Sequence, residues 1–221
     1  MEAVFPEIQK RFGFGMMRLP MVGDLVDIPQ TTQMVDAFLA AGFNYFDTAH
    51  GYIGGQSEQA VRTCLTSRYP RDRYILTNKL SNNFFEKQED IRPLFETQLE
   101  VCGVDYFDFY LMHAQSAERF EKYRRCRAYE TALELKAEGK IRHLGISFHD
   151  SPEVLETILT AYPQIETGVG AAAQTVKNPL GLLRQLHQRT ALHRLHDEHR
   201  LSVLSADLIA AEGLHSGIIV V

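Results

Sequence analysis

The sequence has only three cysteines in 221 residues, Cys64, Cys102 and Cys126, and no pair of them stands at a CxxC spacing. An odd number without a metal-type spacing argues against a disulfide framework and fits reduced thiols in a cytoplasmic protein, each buried as a small hydrophobe. Positive charge is also short. With 23 Lys and Arg against 28 Asp and Glu, the net charge is −5, so a nucleic-acid or anionic-membrane surface is not expected. No run approaches the roughly 18 consecutive apolar residues of a membrane span. The opening MEAVFPEIQKRFGFG lacks a basic region followed by an apolar stretch, so no secretory signal is expected either. What remains is ordinary for one globular domain, 45% hydrophobic and 23% charged, and long enough to bury a substantial core.

Against that plain background stands a repeat. Short apolar strands are predicted around Phe14–Met16, Tyr45–Phe46, Tyr74–Asn78, Phe107–Met112 and Ile141–Ser147. Between them, apolar residues recur at helical spacing: Met34, Ala37, Phe38 and Ala41, then Ile91, Leu94, Phe95, Leu99 and Cys102, then Val154, Leu155, Ile158 and Leu159. Ser151 and Pro152 cap and open the last of these helices, and Gly139 stands where a left-handed terminator should end a long fourth helix. Gly15 to Asp47 is 32 residues, Asp47 to Lys79 is 32, Lys79 to His113 is 34, and His113 to Ser147 is 34. Strands joined by helices at a fixed period leave an open doubly wound sheet or a closed (β/α)8 barrel. No GxGxxG follows the first strand, which disfavours the dinucleotide-binding open sheet. The expectation is an α/β fold of the TIM-barrel type.

Asp47, Lys79, His113 and Ser147 each stand at the C-terminal end of a predicted strand, the end at which barrels build their sites. Singly, each has a bland reading: a turn cap, a lysine leaving for water, a hydrogen-bonded core histidine. Four in consecutive units shift the balance towards chemistry. The motifs around them carry a resemblance. GFNYFDTAHGYIGGQSE (Gly42 to Glu58), TNK at Lys79, DYFDFYLMHA (Asp105 to Ala114), LKAEGKIRHLGISFHD (Leu135 to Asp150) and RFGFGMMRLP (Arg11 to Pro20) resemble, in order, motifs of the aldo-keto reductases, in a bacterial-type branch.

The resemblance implies NADPH-dependent, metal-free reduction of a small carbonyl to an alcohol by a tetrad of Asp47, Tyr52, Lys79 and His113. Tyr52 would give the proton, Lys79 would ease its release, Asp47 would hold Lys79, and His113 would orient the carbonyl oxygen. An ammonium beside a phenol favours the phenolate, and an isolated phenol is a poor acid at neutral pH. No side chain can supply a hydride, so a nicotinamide is required. Met17 and Arg18 in the first strand-helix loop, and Ser147 at the fifth strand, match cofactor-contacting positions. Phe148 replaces the Asn that often follows that Ser.

The motifs stop after Glu166. Eight units of about 33 residues need roughly 264, and only 74 residues follow Ser147. The chain therefore reads as barrel units one to five over 1–166, truncated or divergent afterwards, with 167–221 a mainly helical segment of the same domain. That segment holds five of the nine His and no Phe or Tyr. His193, His196 and His199 diverge on a helix and lack a Cys or acidic partner at a metal spacing, so a solvated face is expected there rather than a metal site. Five Lys and Arg against four Asp and Glu leave it near neutral, with no pull on nucleic acid. Lacking the family's late phosphate contacts, the chain is expected to bind NADPH weakly. The rival expectation is an incompetent family member serving as a binding or regulatory module. A short or missing plug at the barrel bottom is expected, and open strand edges that invite self-association.

Overall fold

The structure, a computed structural model, describes residues 5–10, 12–170 and 217–219. Nine strands and six helices are arranged in the order β1 (Gly13–Gly15), β2 (Met21–Val22), β3 (Leu25–Val26), α1 (Ile28–Ala40), β4 (Tyr45–Asp47), α2 (Gln56–Val61), β5 (Ile75–Leu80), α3 (Gln88–Cys102), β6 (Phe107–Gln115), α4 (Ala117–Arg125), α5 (Ala128–Ala137), β7 (Ile141–Phe148), α6 (Pro152–Ala161), β8 (Thr167–Gly170) and β9 (Gly217–Ile219) among the described residues. Strands β1, β4, β5, β6, β7 and β8 pair in parallel in that order. Chain-order parallel pairing with helical crossovers is the barrel arrangement, here a half-barrel of six strands.

The two-residue period of a strand decides which side chains face inward. Phe46, Leu76, Leu80, Tyr110, Met112, Leu144 and Ile146 pack outward into the main core under the helices. The alternate positions, Tyr45, Ile75 and Phe109, form a separate inner cluster with Phe5. Continuing the same parity upward places Asp47, Lys79, His113 and Ser147 on the inner face at the C-terminal end. The helices cover the outer face by their apolar stripes. On α1 these are Met34, Val35, Phe38 and Leu39, and on α3 they are Ile91, Phe95, Leu99 and Cys102. Asp27 caps α1 by accepting from the Gln30 amide at 2.9 Å, and Gly103 ends α3 at φ 67°.

Several expectations need correcting. The sheet runs on past the last motif residue: Glu166 leads into β8, whose Thr167 pairs with Gly145. No sequence motif marks it, because TGVG is short and half glycine. The long fourth helix is two helices, α4 and α5, broken at Arg127, which takes a left-handed φ of 51°. Gly139 does take the left-handed φ, 79°. A plug segment does close on the barrel bottom. Phe5 meets Phe109 edge-on at 4.9 Å, and Asn44 ties the segment down by donating to Glu7 O and accepting from the Gln9 amide. A two-strand hairpin, β2–β3, also lies between β1 and α1. The β1 edge is not open, since β9 pairs with it in antiparallel. The helices and the histidine triplet read within 171–216 lie outside the described residues. The three cysteines are free and buried, and no described helix is long and apolar enough to cross a membrane.

At Gly145 in β7 the neighbouring strands β6 and β8 crowd close. A Cβ there would sit 2.5 Å from Thr167 Cγ2, 2.6 Å from Leu111 Cδ2 and 2.8 Å from the Thr167 carbonyl oxygen. Side chains can rotate away, but the backbone oxygen moves only by opening the sheet. Gly145→Ala is therefore expected to destabilise the fold by about 1–3 kcal/mol. Urea unfolding monitored by far-UV circular dichroism reads the loss, and a midpoint equal to the wild type would disprove this packing.

Candidate active site

Asp47 and Lys79 end neighbouring strands on the same inner face. Asp47 pairs in register with Thr77, which puts Lys79 one inward position higher on β5. Lys79 Nζ donates to Asp47 Oδ1 at 2.5 Å and to the Thr48 carbonyl oxygen at 2.7 Å. Both residues are buried, at 3% and 2% exposure, so water does not compete for the pair. Burial pushes the Asp47 carboxyl up from its ordinary range, against the downward pull of the Lys79 ammonium. Asp47 Oδ2 is buried with no hydrogen-bond partner among the described residues.

An ammonium has three hydrogens, and two of them are used. The remaining side of Lys79 faces Tyr52, whose ring centroid lies 4.8 Å from Nζ. Tyr52 opens a tight turn after β4. The turn is made by Ile53, Gly54 and Gly55, all at positive φ, which folds the chain back and lays the half-buried ring over the site. A left-handed Ile is uncommon, and strain of this kind collects at functional sites.

His113 faces Tyr52 from β6, with ring centroids 5.8 Å apart at 75°. A register shift between Met112 and Gln115, with Ala114 at φ 50°, bulges the strand at this point. Such a bulge re-aims the side chain beside it. His113 Nδ1 lies 2.6 Å from Ser81 Oγ, and Nε2 makes no hydrogen bond to a described residue. Burial, then the positive charge of Lys79, Arg119 and His149, push the imidazole down to about 3, so it is neutral at ordinary pH.

That depression makes a pH prediction. Below about 6.5 an unfolded histidine takes up a proton, while folded His113 does not until about 3. The unfolded chain therefore binds more protons in this window, and stability falls as pH drops through it. His113→Gln keeps a similar shape but cannot titrate, so its stability is expected to decline less between about pH 6.5 and 5. Thermal melts of both proteins across that range check this, and parallel declines would contradict it.

The structure also brings in residues that the sequence motifs do not single out for the site. Ser81 is one. The others form a buried network behind Lys79. Glu58, 1% exposed, accepts from Asn78 Nδ2 at 2.8 Å and Gln98 Nε2 at 3.3 Å, and its second oxygen lies 2.8 Å from His50 Nδ1. Gln98 in turn donates to Asn78 Oδ1 and to the Lys79 carbonyl. Ser57 ties Thr48 to Met16 O. This network holds the β4 and β5 ends at the spacing the Asp47–Lys79 pair needs. Ser147 is buried, and its hydroxyl makes no hydrogen bond to a described residue. Met17 and Arg18 are exposed in the loop after β1, and Arg18 has no ionic partner among the described residues. No cluster of three metal-type ligands occurs among the described residues.

The model of the aldo/keto reductase family matches residues 11–218. The chain belongs to this family. The match reaches well past Glu166, so the likeness is wider than the motifs that carry it in the sequence. An aldo-keto reductase of Mycobacterium sp. (strain JLS) is 32% identical over 73% of this chain and 56% of its own length. Methylglyoxal reductase DkgA of Yersinia pestis is 29% identical over 77% of this chain and 57% of its own. The chain thus spans just over half the length of these curated relatives. A crystal structure of an aldo/keto reductase from Klebsiella pneumoniae in complex with NADP and acetate superposes with a TM-score of 0.54 and 25% identity, over 71% of this chain and 52% of that one.

Proposed function

We propose that this aldo-keto reductase reduces a small carbonyl compound to its alcohol with NADPH, using Tyr52 as the proton donor. The observation that carries the reading is the meeting of a buried Asp47–Lys79 pair, the Tyr52 ring and a neutral His113 at one end of the half-barrel. Support for a nicotinamide cofactor comes from the groups left without partners: Asp47 Oδ2, the Ser147 hydroxyl and the exposed guanidinium of Arg18. A buried polar atom such as Asp47 Oδ2 is seldom left unpaired, and this acceptor, with a hydroxyl and an exposed cation at the same end, suits a ligand with ribose hydroxyls, an amide and phosphates. Ser147 would hold the amide end, and Met17 and Arg18 would flank it. The NADP bound by the Klebsiella neighbour and the name of the Yersinia relative point the same way.

NADPH when bound supplies a hydride at the carbonyl carbon. The chain supplies the rest. Tyr52 passes its proton to the carbonyl oxygen, completing the alcohol, and is reprotonated from solvent. Lys79 stands at the phenol as a fixed positive charge, favouring that transfer. Asp47 keeps the ammonium in place and makes its burial tolerable. His113 sets the direction of the carbonyl oxygen.

Titration of the purified chain with NADPH, read by fluorescence, followed by methylglyoxal with loss of nicotinamide absorbance, tests the proposal. Carbonyl-dependent consumption of NADPH supports it. Binding without consumption leaves a binding or regulatory module, and neither binding nor consumption overturns the reading.

A further inference from the structure

We propose that Ser81 is a positioning residue, donating its hydroxyl hydrogen to His113 Nδ1 and so holding the imidazole in the tautomer that carries its hydrogen on Nε2. The inference deepens the role of His113 in the proposed reduction and rests on that reading for its catalytic consequence.

Ser81 follows β5 directly and is 8% exposed. His113 Nδ1, at 2.6 Å, is its side chain's one hydrogen-bond partner among the described residues. Two arrangements are open to that contact. If Nδ1 donated, the serine oxygen would accept and its own hydrogen would be left in a buried place with no acceptor. If the serine donates, both groups are satisfied, and buried donors are normally satisfied. The imidazole is neutral, because burial and the nearby charges of Lys79, Arg119 and His149 oppose protonation, so it carries a single hydrogen. With Nδ1 accepting, that hydrogen resides on Nε2, the nitrogen with no described partner.

The consequence concerns what the site offers a ligand. A carbonyl oxygen can only accept. The Nε2–H tautomer presents it a donor, whereas the other tautomer would present a lone pair and repel it. Tautomer choice in histidine is set by the hydrogen bond at the opposite nitrogen. The strand bulge at Ala114 aims the ring and Ser81 chooses its tautomer, two separate devices for one donor.

Two-bond ¹H–¹⁵N correlation spectra of ¹⁵N-histidine-labelled protein read the tautomer directly, with the His113 signals assigned by their loss in His113→Gln. The wild-type spectrum is expected to show an acceptor-type Nδ1 and a protonated Nε2. In Ser81→Ala the pattern is expected to shift towards a mixture, and in Ser81→Thr, which keeps the hydroxyl, to return. Carbonyl-dependent kcat is expected to fall on the order of tenfold in Ser81→Ala, with NADPH affinity unchanged and Ser81→Thr restoring the rate. A wild-type His113 protonated on Nδ1, or a Ser81→Ala spectrum identical to the wild type, overturns the proposal. Because the spectra need no turnover, a chain that proves inactive would refute the reductase reading while the tautomer result stood or fell by itself. The wild-type spectrum remains decisive if Ser81→Ala does not fold.

Discussion

Tyr52→Phe is expected to lower turnover by at least about a hundredfold while leaving NADPH affinity nearly unchanged. General acid catalysis by a positioned side chain contributes about 10²–10⁴ in rate, and the substitution removes only the acid. Phenylalanine keeps the ring that stands edge-on to His113 at 5.8 Å and over Lys79 at 4.8 Å, so the packing and the Asp47–Lys79 pair should persist. As the proposed acid, the hydroxyl would give up its proton in the transition state, so its loss is expected in kcat more than in binding. Steady-state rates with methylglyoxal, paired with NADPH titration of the same preparation, test the split. A variant that keeps turnover within about threefold, or that loses cofactor affinity instead, would show that Tyr52 is not the acid.

Much of this site is legible in the sequence because strands make it so. A period of two fixes the face of every side chain once a strand's phase is known, and in a barrel the C-terminal ends meet by construction. Asp47, Lys79, His113 and Ser147 needed no more than that. Tyr52 is different, since it lies off the strand ends and is brought over by the left-handed turn at Ile53–Gly55. Only the motif placed it. Ser81 escaped because its role depends on a contact across 32 residues that no local pattern records. A signal did exist for Gln98. It is a polar residue between Phe95 and Leu99 on the apolar stripe of α3, and an uncharged polar side chain there requires partners inside. It finds Tyr110, Asn78, Glu58 and the Lys79 carbonyl.

The fold was less legible where signals were weak or opposed. The break between α4 and α5 falls at Arg127, whose left-handed φ has no glycine or proline to announce it. Strand β8 offers four residues, two of them glycine, and periodicity needs longer runs to show. The bottom plug turned on Phe5, one aromatic residue in an opening with no periodic pattern, whose partners Tyr45, Ile75 and Phe109 are distant in sequence.

The second large effect is expected at the buried ion pair, and its mark is non-additivity. Asp47→Leu leaves the Lys79 ammonium in a dry site with only the Thr48 carbonyl. Lys79→Met leaves a buried carboxyl whose Oδ2 already lacks a partner. Removing one member of such a pair typically costs about 3–5 kcal/mol, whereas replacing both by apolar groups of similar size is often neutral. The double variant, Asp47→Leu with Lys79→Met, should therefore be more stable than either single variant, although all three should be inactive. In Lys79→Met the pull that lowers the Asp47 carboxyl is gone and burial alone raises it. The folded state then holds its proton at pH values where the unfolded chain has lost it, so the variant should lose stability as pH rises above the ordinary carboxylate range. In the double variant no carboxyl remains at position 47 and that slope should vanish. Urea unfolding of the four proteins at acidic and neutral pH gives the full cycle. If the double variant loses as much as the two single losses added together, Asp47 and Lys79 are not coupled, and the charge placed beside Tyr52 has some other support.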